Sequence, residues 1–175
     1  LNAESTVLRC EKMQRQLTKE ELKLIEDSGY SKKAIQLYVN KVNLGIIENP
    51  DVVETHVGPC GDAIKLYMKV DEKGIIKDVK FYYLGCPSSA ASASAMTKLV
   101  KGKTIEEAKK ITEDNVLNEL EGLPKPKLDC PKLVIKTLQK AIAKYEKKSW
   151  SKGIVESQKE RWFLEKLRSS NRSFT

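Results

Sequence analysis

The sequence predicts a mixed fold in which an antiparallel β-hairpin packs against several helices. Three observations carry that expectation. Ile64, Leu66, Met68 and Val70 alternate with more polar positions, Asp71-Glu72-Lys73-Gly74 reads as a turn, and Val79, Phe81 and Tyr83 alternate after it. That is the period of two strands with one face on a core. Thr18 and Thr104 each have a glutamate three residues on, the spacing at which a cap and a side chain satisfy each other's backbone donors at a helix start. Cys86-Pro87 and Cys130-Pro131 open two further helices, because proline is favoured at the first helical position.

The elements follow in chain order. Residues 1–29 read as a separate helical extension, with one helix over Ser5 to Gln16 and a second from Thr18. Leu22 and Ile25 give the second helix an apolar stripe, and Gly29 stops it. Ser31 caps a helix with Ile35, Tyr38, Val39 and Val42 on one face, ended by Gly45. Ile47 to Asp51 is a loop ahead of the hairpin. The helix from Ser88 to Val100 begins with eight small residues, which let its backbone lie close to a neighbour. Thr112 starts another short helix. Leu123-Pro124-Lys125-Pro126-Lys127 is expected to be extended. A longer helix runs from Pro131 to about Lys147, with Leu133, Leu138, Ile142 and Tyr145 toward the core. The central domain therefore spans residues 30–147. Residues 148–175 read as a basic amphipathic extension bearing Val155, Trp162, Phe163 and Leu167, frayed from Ser169 to Thr175. Trp150, Trp162 and Phe163 are read as packing residues on a face that can take a partner helix or a second copy of the chain.

Composition limits the function classes. With 175 residues, 40% hydrophobic and 32% charged, the chain can bury a real core. No apolar run approaches the ~20 residues needed to span a bilayer, and no secretory signal is visible. The net charge of +8 invites a nucleic-acid reading, but lysines and glutamates are interspersed along the helices, as a solvated surface would have them. Four cysteines without a secretion signal point to a reducing, cytoplasmic setting and to metal or thiol chemistry rather than to two disulfides.

Three of those cysteines sit at turns. Cys60 lies in Gly58-Pro59-Cys60-Gly61-Asp62, where Gly58 and Gly61 allow close backbone approach. Cys86 and Cys130, each before a proline, are expected at helix N-caps. There the free backbone N–H groups and the helix dipole lower a thiol's pKa. Asp62, two residues after Cys60, can reach the same centre. Thiolates suit iron–sulfur clusters and zinc. Four cysteines would lock a [2Fe–2S] cluster in place, whereas one carboxylate in the set makes a weak fourth bond that suits release. His56 reads as an exposed loop histidine, and Cys10 as structural or incidental.

At this point the chain resembles a known family. Pro59-Cys60-Gly61-Asp62, the hairpin, Gly85-Cys86-Pro87-Ser88-Ser89-Ala90, Lys101-Gly102-Lys103-Thr104 and the loop ending in Cys130 are similar, in order, to the iron–sulfur cluster assembly scaffolds of the IscU/NifU type. The resemblance runs from about Tyr30 to Tyr145. It implies an α+β fold with a small three-stranded antiparallel sheet packed by helices, here with extra N- and C-terminal helices. It implies a non-enzymatic scaffold that takes persulfide sulfur from a cysteine desulfurase, builds a labile [2Fe–2S] cluster and passes it to apo-proteins. Cys60, Cys86 and Cys130 match the ligand cysteines, Asp62 the aspartate that makes the cluster labile, and Cys130 the persulfide acceptor. Asp129 stands where many members have histidine and is an alternative oxygen ligand. The Leu123–Lys127 segment matches the family's chaperone-recognition segment only in part, and the two extensions lie outside the match.

Two other readings use the same residues. Three thiolates and a carboxylate also make a tetrahedral zinc site, as in a zinc-containing sulfur-transfer protein that partners a desulfurase. A basic nucleic-acid-binding module with a structural zinc is the third. A cluster shared between chains is a further arrangement, since three cysteines leave a position for a neighbour.

Overall fold

The structure, a computed structural model, describes residues 18–170, with side chains described for residues 18–150. The expected helix at Ser5–Gln16, Cys10, the side chains of Val155, Trp162, Phe163 and Leu167, and residues 171–175 lie outside the described part. By its internal contacts the chain divides into a unit ending at Ile142 and a second beginning at Ala143.

The first unit is built on a three-stranded antiparallel sheet: β1 (Val52–Val57), β2 (Ala63–Val70) and β3 (Ile76–Leu84), in that order. Met68 pairs with Val52 and Val79, and Leu66 pairs with Glu54 and Phe81. The alternation read in the sequence is largely the alternation of burial, broken on β2 by Tyr67, which is buried between Leu66 and Met68. Ile64, Leu66, Met68, Val79 and Phe81 lie inside, together with Ile76. The Asp71 carboxylate fixes the hairpin turn by accepting from the backbone N–H groups of Lys73 at 2.9 Å and Ile75 at 2.8 Å. β1, expected only through the family resemblance, is an edge strand with one buried residue, Val52. A strand half in solvent carries no strong alternation.

Among the described residues, five helices precede the long last one. α1 (Lys19–Asp27) starts with the expected capping box of Thr18 and Glu21. α2 (Lys32–Asn40) is capped by Ser31 and buries Ala34, Ile35 and Leu37, while Val39 is exposed. It stops at Lys41 in the left-handed region, four residues before Gly45. Gly45 serves the sheet instead. Its N–H bonds to the carbonyl of Phe81 at 2.8 Å, and the Phe81 N–H bonds to the carbonyl of Asn43 at 3.0 Å. Residues 43–45 thus extend the far edge of the sheet. α3 (Pro87–Val100) is the central helix, buried along nearly its whole length and packed on β3 and α2. Its Ser/Ala run explains how: small side chains allow contact with neighbours on several sides. α4 (Ile105–Ala108) and α5 (Glu113–Glu119) carry capping boxes from Thr104 and Thr112.

Two expectations about the segment before the last helix are corrected. Lys125–Lys127 is a 3₁₀ turn rather than an extended loop. Its closing bond runs from the Lys127 N–H to the Pro124 carbonyl at 2.8 Å and needs no N–H from either proline. Leu128, itself in helical geometry, leads directly into α6 (Asp129–Ser170). Cys130 is therefore the second residue of a helix, not its N-cap. Pro131 is tolerated as the third because the first four N–H groups of a helix have no partner to lose. α6 buries Leu133, Val134, Leu138 and Ile142 in the first unit and continues unbroken past residue 147. Within the second unit the described backbone is that helix alone. No helix among the described residues is long and apolar enough to cross a membrane.

Candidate metal and cluster centre

The β1–β2 loop places the first part of the site. The Gly58 N–H bonds to the Asp62 carbonyl at 2.8 Å and the Gly61 N–H to the Gly58 carbonyl at 3.0 Å. Gly61 sits at a positive φ of 83°, which a glycine adopts without strain. This tight loop leaves Cys60 exposed near its tip and brings Asp62 to its base.

Asp62 reaches across to the end of β3. Its carboxylate accepts the backbone N–H of Cys86 at 3.2 Å. A Cβ on Gly85 would lie 2.4 Å from the Asp62 carboxyl carbon, so glycine is required there. Cys86 is the N-cap of α3 in extended geometry, and its sulfur makes no full capping bond, although the Ser89 N–H lies near enough to favour its thiolate. It is left free for other partners. Ser89 Oγ instead donates to the Cys86 carbonyl at 2.7 Å.

Cys130 arrives from the first turn of α6. Its Sγ lies 3.8 Å from the Sγ of Cys86. One ligand atom each from Asp62, Cys86 and Cys130 falls within a 4.8 Å group. The donor set, two sulfurs and one carboxylate oxygen brought together from three separate elements, fits a thiophilic metal.

The two thiols share one proton unequally. A hydrogen bond from the Cys130 thiol lowers the Cys86 pKa to about 6; burial and Asp62 oppose that, and the Ser89 N–H helps it. The same bond, burial and the surrounding negative groups push Cys130 far above the ordinary thiol range. Of the two, Cys86 is the one favoured as thiolate and Cys130 the one favoured as thiol. Beside them the Tyr30 hydroxyl pairs with Ser88 Oγ at 2.6 Å, and burial raises its pKa.

The remaining sequence candidates stand apart. Cys60 shares the loop of Asp62 but is not in the 4.8 Å group. Asp129 is paired with Lys132 at 3.0 Å and its side chain is 75% exposed. His56 lies on strand β1, not in a loop, and its Nδ1 accepts from the Lys140 ammonium at 2.9 Å. Two contributors had no clear signal in the sequence. The Tyr30–Ser88 contact joins residues 58 apart, and the need for glycine at position 85 appears only once Asp62 is placed. A separate cavity of about 510 Å³, lined by Leu99, Lys110, Ile111 and Asn118 among others, includes none of the thiols.

The chain is similar to several known proteins. The chain is 44% identical over 121 residues to the iron–sulfur cluster assembly scaffold protein IscU 1 of Archaeoglobus fulgidus, covering 69% of this chain and 78% of that one. It is 42% identical over 128 residues to the IscU scaffold of Escherichia coli, covering 71% of this chain and 99% of that one. A crystal structure described as a putative iron–sulfur cluster assembly scaffold for the SUF system of Fervidobacterium islandicum superposes with a TM-score of 0.56 at 30% identity, covering 65% of this chain and 96% of that one. A NifU-like N-terminal protein of Brucella abortus shares the fold, with a TM-score of 0.59 at 22% identity over 71% of this chain and 99% of that one. The model of the NifU-like N-terminal domain matches residues 29–152, which is most of the chain, and the chain belongs to that family.

Proposed function

We propose that this chain is a scaffold on which an iron–sulfur cluster is assembled and from which it is handed to apo-proteins. The observation that carries the reading is the gathering of Asp62, Cys86 and Cys130 within 4.8 Å, with Cys60 exposed on the loop that holds Asp62. The cluster is cargo, and the site is built to let it go.

A [2Fe–2S] cluster takes four protein ligands. Cys60, Cys86, Cys130 and Asp62 supply four, and Asp62 is the harder, weaker donor. Asp129, engaged with Lys132, is the poorer carboxylate for the fourth place. The partners are a cysteine desulfurase that supplies sulfur and apo iron–sulfur proteins that receive the product. A reducing, cytoplasmic compartment suits three free thiols.

Sulfur enters on Cys130. Once deprotonated, its sulfur attacks the outer sulfur of the donor's persulfide, the donor cysteine leaves as thiolate, and a persulfide forms on Cys130. The Cys130 proton passes to the Cys86 thiolate along the hydrogen bond the two already share. Cys86 thereby serves first as base and then as ligand.

Anaerobic reconstitution with ferrous iron, L-cysteine and a cysteine desulfurase tests the reading. The expected result is visible charge-transfer absorption and movement of the cluster to an apo-ferredoxin. A colourless product holding one tight zinc per chain would overturn it in favour of zinc-dependent sulfur transfer, which the same donors can support.

A further inference from the structure

Beyond the thiol centre, the most distinctive feature of this chain is a row of lysines on α6. Lys132, Lys136 and Lys140 follow one another at four-residue intervals, and the spacing continues in the sequence at Lys144, Lys148 and Lys152. Residues four apart share one helix face, about 6 Å apart along the axis. Lys132 is paired with Asp129. Among the described residues, neither Lys136 nor Lys140 has a carboxylate partner; Lys140 donates to His56 across on β1. The two lysines also act together on that ring. After burial, Lys140 and then Lys136 lower the His56 pKa, and Glu54 alone opposes them. A positive potential therefore stands over the seam between α6 and β1, and the histidine beneath it stays neutral.

We propose that Lys136 and Lys140 are a docking stripe for an acidic helix on a partner protein. Three features select that occupant. First, the two ammonium groups lie one helical turn apart, which matches carboxylates at i and i+4 on a partner helix. Second, negative charge stands beside the stripe, at Asp129 on the same helix and at Glu54, which acts on the same histidine from β1. A continuous phosphate backbone laid along the helix would meet this charge, whereas a short acidic patch can avoid it. Third, Lys136 and Lys140 lie about 9 and 15 Å along the axis from Cys130. A partner held there is within reach of the thiol centre, and charges so placed raise encounter rates in a salt-dependent way. The binding does not depend on the scaffold reading; its role in sulfur or cluster transfer does.

The test uses the full chain and a labelled alanine-based helical peptide of about 20 residues with glutamate at every fourth position. Controls are the same peptide with glutamine and a ten-nucleotide single-stranded DNA. Wild type should bind the glutamate peptide at low salt, lose it as salt rises, and ignore the glutamine peptide. Lys136→Glu with Lys140→Glu should weaken binding at least about tenfold. Lys73→Glu with Lys110→Glu, the same change in net charge elsewhere on the surface, should leave most of it, and thermal melts should show both variants folded. Equal loss in the two double variants would overturn the proposal, as would tighter binding of DNA through the same lysines or no binding at all. Reconstitution of the Lys136/Lys140 variant is measured alongside. A wild type that binds peptide but never forms a cluster overturns the scaffold reading and leaves the docking stripe standing.

Discussion

The carboxylate of Asp62 occupies the space in which a side chain on Gly85 would begin. A Cβ there would come within 2.4 Å of the Asp62 carboxyl carbon and 2.7 Å of both oxygens, and Gly85 has a positive φ of 156°. The Cys60 loop and the Cys86 turn are thus fitted to each other through one aspartate and one absent methyl group. Gly85→Ala should cost about 2 kcal/mol in chemical denaturation, from strained backbone and a displaced carboxylate. Asp62→Ala should recover part of that loss when combined with it. A double variant as unstable as the sum of the singles would show that the clash is not the cause.

Asp62→Ala should also change the fate of the cluster. Removing the weak donor keeps the fold and leaves the cargo on the three thiols or with an outside ligand. Transfer to apo-ferredoxin and bleaching in air should both slow by about tenfold, equivalent to about 1.4 kcal/mol. Asp129→Ala should leave both rates as in wild type, because its carboxylate serves Lys132 at the surface. Stopped-flow transfer assays on the two variants separate the carboxylates. If Asp129→Ala is the slow one, the fourth ligand has been assigned to the wrong residue.

Thiol reactivity gives a pH test. Cys86 titrates near 6 because Cys130 donates a hydrogen bond to its thiolate. Only the thiolate alkylates. In chelator-treated apo-protein the rate at Cys86 should therefore rise as pH climbs through about 6 and be flat above 7, while Cys130 stays slow at neutral pH. Cys130→Ala removes the donor and should move the Cys86 midpoint up toward the ordinary thiol value of about 8.5. Peptide mapping after iodoacetamide pulses at stepped pH reads each cysteine separately. A midpoint unmoved in Cys130→Ala would mean that the helix terminus, not the partner thiol, holds the proton off.

What the sequence disclosed depended on how local each cause was. The hairpin, the four N-terminal caps at Thr18, Ser31, Thr104 and Thr112, and the close-packed Ser/Ala helix follow from residues near one another, and all stand as expected. β1 was not legible from its own residues because an edge strand half in water keeps little pattern. The start of α6 was misplaced because proline is tolerated throughout a first turn, not only at its first position. Within the site, the thiols and Asp62 stood out by residue type. Their division of the proton did not, because the 3.8 Å contact joins residues 44 apart in the chain.

Leu133 links the core of the fold to the Cys60 loop. It is buried on α6, and its two methyl groups lie 3.4 Å from where a Cβ on Gly58 would be, so it packs directly against the start of the Cys60 loop. That loop is closed by only two backbone bonds, from Gly58 to Asp62 and from Gly61 to Gly58. Leu133→Ala should cost about 2 to 4 kcal/mol by denaturation, the transfer loss plus an unfilled cavity. It should also remove the surface on which the loop rests. Hydrogen exchange at the Gly58 and Gly61 amides should then quicken more than at Leu66 in the centre of the sheet, and the reconstituted cluster should bleach faster than in wild type. Leu138→Ala, truncated equally deep on the same helix, is the control. Its loss of stability should be similar, with exchange at Gly58 rising only as far as global unfolding requires. If both variants expose the loop amides equally, Leu133 supports the fold in general and not the cluster loop.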